Sequence, residues 1–315
     1  MPSSNSCSIW RKILPWFLVV LFAFFFVGGP DYHSSRHFKA FWNLGHILFF
    51  ALVPYLLFSY RKWLAGRFSA QSLIVLGICL VLGILIELFQ YDFQRTPDIG
   101  DVCRDVIGGL VGVFFFLDSR KFLRANLLTA CQIIVVGLVG LQVYPLLVAL
   151  GDEYLASRQF PVLSGFETPW EISRWAGDAA FSIDGSVYHT GKCSLRVQLG
   201  TEHYSGIALE YFPRNWKGAK SFRFSVFNPS QQVLSLICRI HDRQHEKGLQ
   251  SYSDRFNRRY ELRWGWTTID INVKDVRNAP KGRQMDMQHI SVVGLFAVNL
   301  PQPRVIYIDD VRLVY

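Results

Sequence analysis

Residues 87–112 read ELFQYDFQRTPDIGDVCRDVIGGLVG. The stretch begins near the end of one apolar run and finishes inside the next, and it holds Glu87, Gln90, Asp92, Arg95, Asp98, Asp101, Arg104 and Asp105. Ionisable groups beside membrane-length apolar runs are costly, so they call for partners or for a function. Glu87 and Gln90 are three apart and Asp101 and Asp105 four apart, so each pair shares a helix face. Gly108 and Gly112 continue the second stripe and allow a neighbouring helix to approach closely. Thr96-Pro97-Asp98 predicts a helix start with Asp98 as N-cap, its acidic first turn facing the positive end of the helix dipole. Arg95 is the expected counter-ion.

Outward from this turn, the apolar runs cover residues 13–28, 40–60, 71–91, 105–118 and 127–150. Most approach the roughly 20 residues that span a bilayer, and the fourth does so if its helix begins near Asp98. The first follows Arg11 and Lys12 as a signal peptide would, but no small-residue cleavage site follows it, so it reads as a retained span. An α-helical transmembrane bundle of about five spans is therefore expected over residues 1–150. Arg11, Lys12, Arg61, Lys62, Arg67, Arg120, Lys121 and Arg124 fall on one side. The positive-inside rule then puts the N-terminus in the cytoplasm and residues beyond 150 outside it. On this reading His46, two turns into the second span, lies at a depth similar to Glu87, and the two could form an acid/base pair.

The chain has 315 residues and a formal net charge of +9. Many of its basic residues flank apolar runs, and no finger or helix-turn-helix spacing occurs, so nucleic acid is excluded as a partner. Six cysteines are scattered with no CxxC or Cys/His cluster, which gives zinc no support. Cys193 and Cys238 fall in the soluble half, where they read as two buried thiols, or as a disulfide if that half is extracytoplasmic.

Residues 151–164 read as a short linker. Residues 165–315 alternate with period two: Phe222, Phe224 and Val226 on one face, then Leu234, Leu236, Cys238 and Ile240, then Tyr307, Val311 and Leu313 together with Asp309. With turn signals at Asn228-Pro229, Gly265 and Pro280-Lys281-Gly282, the pattern predicts an all-β antiparallel sandwich, a jelly roll. Arg239, His241 and Asp242 lie on or beside the opposite face of one strand. Tyr252 and Arg255 follow in a polar loop, and Trp264 and Trp266 close it, with Trp266 expected in the core. Aromatic faces with planar polar groups suit a sugar, so Arg239, His241, Asp242, Tyr252 and Arg255 are the glycan-binding candidates. No carboxylate pair is placed as in a glycosidase.

The pattern His46, Glu87-x-x-Gln90, Arg95, Asp101, Gly108 and Gly112, with Asp98 at an often acidic position, resembles the VanZ-like membrane family. The resemblance covers roughly residues 10–150. It departs at Asp105, where the family has Asn, and at Trp42-Asn43, where the family has an Asp-Lys pair. The family is named for resistance to the glycopeptide antibiotic teicoplanin, so the resemblance implies a multi-pass inner-membrane protein of the bacterial envelope, with a link to that resistance. From GFE at 165–167 through GKCSLRVQL, FRFSVFNP and YIDDVRL, the second half resembles galactose-binding-like carbohydrate-binding modules. That resemblance implies a structural calcium held by Glu167 and Asp309. An Arg partner for Asp309 is the alternative, since a lone carboxylate on an apolar face is costly.

Three functions remain open. The first is a binder of envelope glycan or glycolipid, using the sandwich and an outward-facing pocket of His46, Glu87, Gln90, Arg95, Asp98, Asp101 and Asp105 in the lipid bilayer. The second is a membrane enzyme acting on a lipid-linked glycan through His46 and Glu87. The third is an adaptor whose charges clamp helices together.

Overall fold

The computed structural model describes residues 16, 19–26, 29–30, 34–60, 67–91 and 98–315. The chain divides into two compact units, Met1–Leu147 and Val148–Tyr315.

In the first unit, α1 spans Arg36–Tyr60, α2 Phe68–Tyr91 and α3 Ile99–Val111. A π-helical turn, Gly112–Phe116, continues α3. A further helix, α4, spans Ala125–Gln159. The start of α3 follows local chemistry: Asp98 is extended and its carboxylate accepts a hydrogen bond from Gly100 N at 2.8 Å. Helix α3 packs against α1 through glycines. A Cβ on Gly108 would stand 2.6 Å from the Ile47 carbonyl oxygen, and one on Gly112 would stand 2.3 Å from Pro54 Cγ. Its next residue, Gly109, faces α2, where a Cβ would meet Cys79 Sγ at 2.8 Å. Phe25, Phe49, Phe50, Val53, Val75 and Ile86 fill the core between these helices.

Among the described residues, two helices are long and apolar enough to cross a membrane, Phe68–Gln90 and Ala125–Gln159. Their apolar windows are only 28% and 11% buried, so most of their side chains need an apolar surrounding. Among the described residues, the five expected spans are not all found. Of residues 13–28, only 16 and 19–26 are described, and α1 begins with Arg36 and Lys39. Helix α3 has 13 residues and its π-helical continuation 5, together about 25 Å against a hydrocarbon core of about 30 Å.

In the second unit, one sheet orders β3 (Ala180–Asp184), β4 (Ser194–Leu199), β11 (Arg304–Val314), β6 (Ser221–Asn228) and β9 (Gly265–Asn272). The short β1 (Val162–Ser164) pairs with β11 beyond the end of β4. The other sheet orders β2 (Trp175–Gly177), β5 (Tyr204–Leu209), β10 (Ile290–Val298), β7 (Leu234–Asp242) and β8 (Phe256–Leu262). All pairs are antiparallel, and one core takes side chains from both sheets: Leu195, Val197, Phe222 and Phe224 from the first, Leu236, Ile240 and Leu295 from the second. Two helical turns, α5 (Arg243–Lys247) and α6 (Val273–Arg277), follow β7 and β9.

Three expectations need correction. Residues 151–159 are not a tether but the end of α4, followed by β1. Asp152, fully buried there, accepts Arg174 Nη2–H at 2.8 Å and Nε–H at 3.0 Å, a bond that holds the turn in helical form. Second, Asp309 does not share a face with Val311 and Leu313. A bulge between Asp309 and Arg312, with Asp310 at φ 54°, shifts the register. Ile306 and Ile308 point inward before it, and Val311 and Leu313 after it. Third, Trp266 is half-buried on the outer face, where its ring centroid stands 5.3 Å from that of Phe227.

Candidate functional site

In the first unit, His46 on α1 is 4% exposed, and its Nδ1 lies 2.8 Å from Asp105 Oδ1 on α3. Its Nε2 stands 3.6 Å from Asp101 Oδ2. The edge of the Phe25 ring packs on the imidazole at a centroid distance of 4.6 Å. Asp101 also bonds the Arg104 guanidinium, whose Nε–H donates to Gln142 Oε1 at 3.2 Å. Asp105 is fully buried, and its Oδ2 fits only because residue 83 has no side chain: a Cβ there would stand 2.4 Å from that oxygen. The cluster is therefore an imidazole between two carboxylates, with one guanidinium against the outer of the two. Beside His46 opens an apolar groove of about 390 Å³, walled by Leu21, Phe24, Phe41, Trp42 and Leu48.

The expected His46/Glu87 pair does not form. Glu87 Oε2 accepts the Asp98 backbone N–H at 2.7 Å, so this acid ties α2 to the start of α3. Gln90 donates from Nε2 to the Phe25 carbonyl at 2.9 Å. Arg95 lies outside the described residues, and the observed guanidinium beside the acids is that of Arg104, which also stands 3.6 Å from Asp98 Oδ2.

In the second unit, a cleft of about 590 Å³ runs over the outer face of the five-stranded sheet. Its floor is low because Gly206, Ala208 and Gly294 occupy adjacent strands in register. Arg239, paired with Gly294 across β7 and β10, lies over this floor with its guanidinium 5.8 Å from the centroid of the Phe296 ring. Tyr204 packs edge-on against Phe296 at 5.8 Å. On the opposite wall Arg255 stands 5.5 Å from the Tyr252 ring centroid, next to Asn257 and Arg259.

Of the five glycan candidates, Arg239, Tyr252 and Arg255 line this cleft. His241 and Asp242 do not. His241 is 6% exposed, with its Nε2 3.1 Å from Glu246 Oε1 of α5. Asp242 is fully buried; it caps α5 through His245 N–H at 3.0 Å and accepts Arg283 Nη1–H at 2.6 Å. Burial raises the Asp242 pKa, but these bonds outweigh it and hold the carboxyl below its ordinary range. Sequence reading missed Tyr204, Asn257, Arg259 and Phe296, although β5, β8 and β10 all show the period-two pattern that points them outward.

Glu167 and Asp309 converge on one loop. Asp309 Oδ2 accepts His189 N–H at 2.7 Å and Thr190 N–H at 2.8 Å, while Glu167 Oε1 accepts Lys192 N–H at 2.8 Å. Amide donors take Asp309 Oδ2 and Glu167 Oε1, and Asp309 takes no Arg partner among the described residues. Among the described residues, no group of three or more His, Cys, Asp or Glu side chains is gathered to hold a metal. Cys193 and Cys238 are both free thiols.

The glycine-packed α1/α3 pair with His46 and the acids between its helices is the feature that comparison with known families addresses. Residues 5–124 match the VanZ/LLP1 family. The cluster therefore sits inside the VanZ-like segment, and Asp105, the departure from the family pattern, is the residue that bonds His46. No curated protein matches the chain. The second half is similar to solved carbohydrate-binding modules. One is the family 11 module from Clostridium thermocellum, in complex with a β-1,3-1,4-mixed-linked tetrasaccharide (14% identity, 49% of this chain and 94% of that one, TM-score 0.38). Another is the same family's module of the cellulase Lic26A-Cel5E from Clostridium thermocellum (15% identity, 49% and 92%, TM-score 0.36). A third is a family 22 xylan-binding domain (14% identity, 48% and 92%, TM-score 0.32).

Proposed function

We propose that the protein is a glycan-binding membrane protein of the bacterial envelope. The observation that carries this reading is the cleft of the second unit, where Tyr204, Tyr252 and Phe296 present rings beside Arg239, Arg255 and Asn257 over a glycine floor. Pyranose rings stack their C–H faces on aromatics, and their hydroxyls take planar donors and acceptors, so the cleft has the chemistry and the size for a few sugar units.

The VanZ-like segment supplies the second part of the reading. Its His46–Asp101–Arg104 cluster beside an apolar groove suits a lipid-linked or phosphorylated envelope component, head on the polar groups and chain in the groove. Basic flanks at Arg11, Lys12, Arg120, Lys121 and Arg124 support an orientation with the N-terminus in the cytoplasm and the sandwich outside it.

The test uses the full chain in lipid nanodiscs. Mixed-linkage glucan, xylan and polygalacturonate are titrated against it, and bound lipids are measured by mass spectrometry. Phe296→Ala is expected to weaken polysaccharide binding by about tenfold, the loss of one good stacking contact. His46→Gln is expected to change the co-purifying lipids without affecting polysaccharide. Failure to retain any polysaccharide would refute the reading of the cleft.

A further inference from the structure

The polarity of the cleft goes further than its shape. Three guanidinium groups line it, those of Arg239, Arg255 and Arg259, against a single carboxylate, Asp178. Arg239 sits over the floor opposite Asn257, and Arg255 and Arg259 stand two residues to either side of Asn257 on the facing wall. Elsewhere in this unit, three arginines pair with acids: Arg223 with Asp270 at 2.6 Å, Arg258 with Asp275 at 3.0 Å and Arg283 with Asp254 at 2.6 Å. Arg258, next in sequence to Arg259 and on the other face of β8, is thus neutralised outside the cleft. Arg255 has its guanidinium against a tyrosine ring and no acid within ion-pairing distance, and its Nε is buried with no hydrogen-bond partner among the described residues. Asn257 Oδ1 in the same wall is likewise buried and unpartnered. A ligand for such a wall brings both negative charge and hydroxyl donors.

We infer that the cleft selects an anionic glycan, a sugar polymer carrying carboxylates or phosphates, over a neutral one. This rests on the reading of the cleft as a glycan site and adds the ligand class to it. Planar guanidiniums bind carboxylate and phosphate in two-point fashion, and those of Arg255 and Arg239 stand 5.5 Å and 5.8 Å from the Tyr252 and Phe296 ring centroids. Three positive groups around one position suit a ligand that brings more than one anionic group to the cleft, as a charged sugar chain does.

The experiment measures binding of the full chain in zwitterionic nanodiscs to polygalacturonate, to poly(glycerol phosphate) and to neutral mixed-linkage glucan, across 50–500 mM NaCl. One or both anionic polymers are expected to bind at least about tenfold tighter than glucan at low salt, with the gap closing as salt screens the charges. Preference between the two polymers identifies carboxylate or phosphate as the recognised group. Arg255→Gln with Arg259→Gln is expected to bring the anionic polymers to the glucan level. It should leave the thermal unfolding midpoint unchanged. Equal binding of all three polymers, indifferent to the arginines, overturns the anionic selectivity and leaves the glycan reading standing. Binding of none overturns both, and tighter binding of oligo(dT) than of any sugar polymer assigns the charge to nucleic acid and overturns the inference.

Discussion

At Asp309 and Asp242 the same residue type meets burial in two ways. Both are fully buried, and both accept backbone N–H groups, but only Asp242 also bonds a guanidinium. Burial, opposed by its three amide bonds, leaves Asp309 above its ordinary range. Asp254 is held below its own range by Arg283, chiefly through hydrogen bonds. For Asp242 and Asp254 the unfolded chain takes up protons first as the pH falls, so their contribution to stability is present above about pH 4 and is lost below it. Asp309 acts in the opposite sense, its contribution present at low pH and fading as the pH rises through its elevated value. Arg283→Met is therefore expected to flatten the acid side of a plot of unfolding midpoint against pH and to lower the neutral plateau. An unchanged acid limb in thermal scans from pH 2.5 to 7 would count against this network. Asp309→Ala is expected to cost about 3 kcal/mol, because three amides lose their acceptor at once; urea unfolding of the second unit measures it. The capping role of Asp98 was legible in the sequence, since Asp before an apolar run is a local signal. The partner of His46 was not, because Asp105 and Glu87 are equally acidic and only the packing of α3 against α1 decides which one faces the imidazole.

Helix α3 carries glycines toward two neighbours, Gly108 and Gly112 toward α1 and Gly109 toward α2. The clash at Gly108 is with backbone, which cannot move aside as a flexible side chain can. Gly108→Val is expected to cost about 2 kcal/mol or more, and it should part His46 from Asp105. Thermal unfolding in detergent reads the first effect, and the imidazole proton shift in NMR reads the second. Gly77→Ala serves as the control, since a Cβ at residue 77 meets nothing within 4 Å. The four-residue spacing of Gly108 and Gly112 announced this packing; Gly83 gave no such signal, because a glycine in an apolar helix looks like any small residue until Asp105 is seen against it. In the sandwich the period-two pattern marked the core faces of β6 and β7 correctly. It failed on β11, where the bulge at Asp309–Asp310 reverses which residues face inward.

For the whole molecule, the exposed apolar windows of α2 and α4 predict that carbonate washing leaves the protein in the membrane pellet and that detergent releases it. Release by carbonate would show that partner proteins, not lipid, cover those helices. On the proposed orientation, proteinase K added to intact spheroplasts is expected to degrade the Val148–Tyr315 unit, and degradation only after lysis would reverse it.

The sequence by itself determined the division into an apolar helical half and a period-two β half, the helix start at Asp98 and the glycine stripe on α3, because each is written in local spacing. Only the tertiary structure decided that Asp105 meets His46, that Asp242 lies buried behind the cleft, and that Glu167 and Asp309 hold backbone amides. Those outcomes depend on which strands and helices become neighbours, and the energy of a buried charge is set by the groups that folding brings to it.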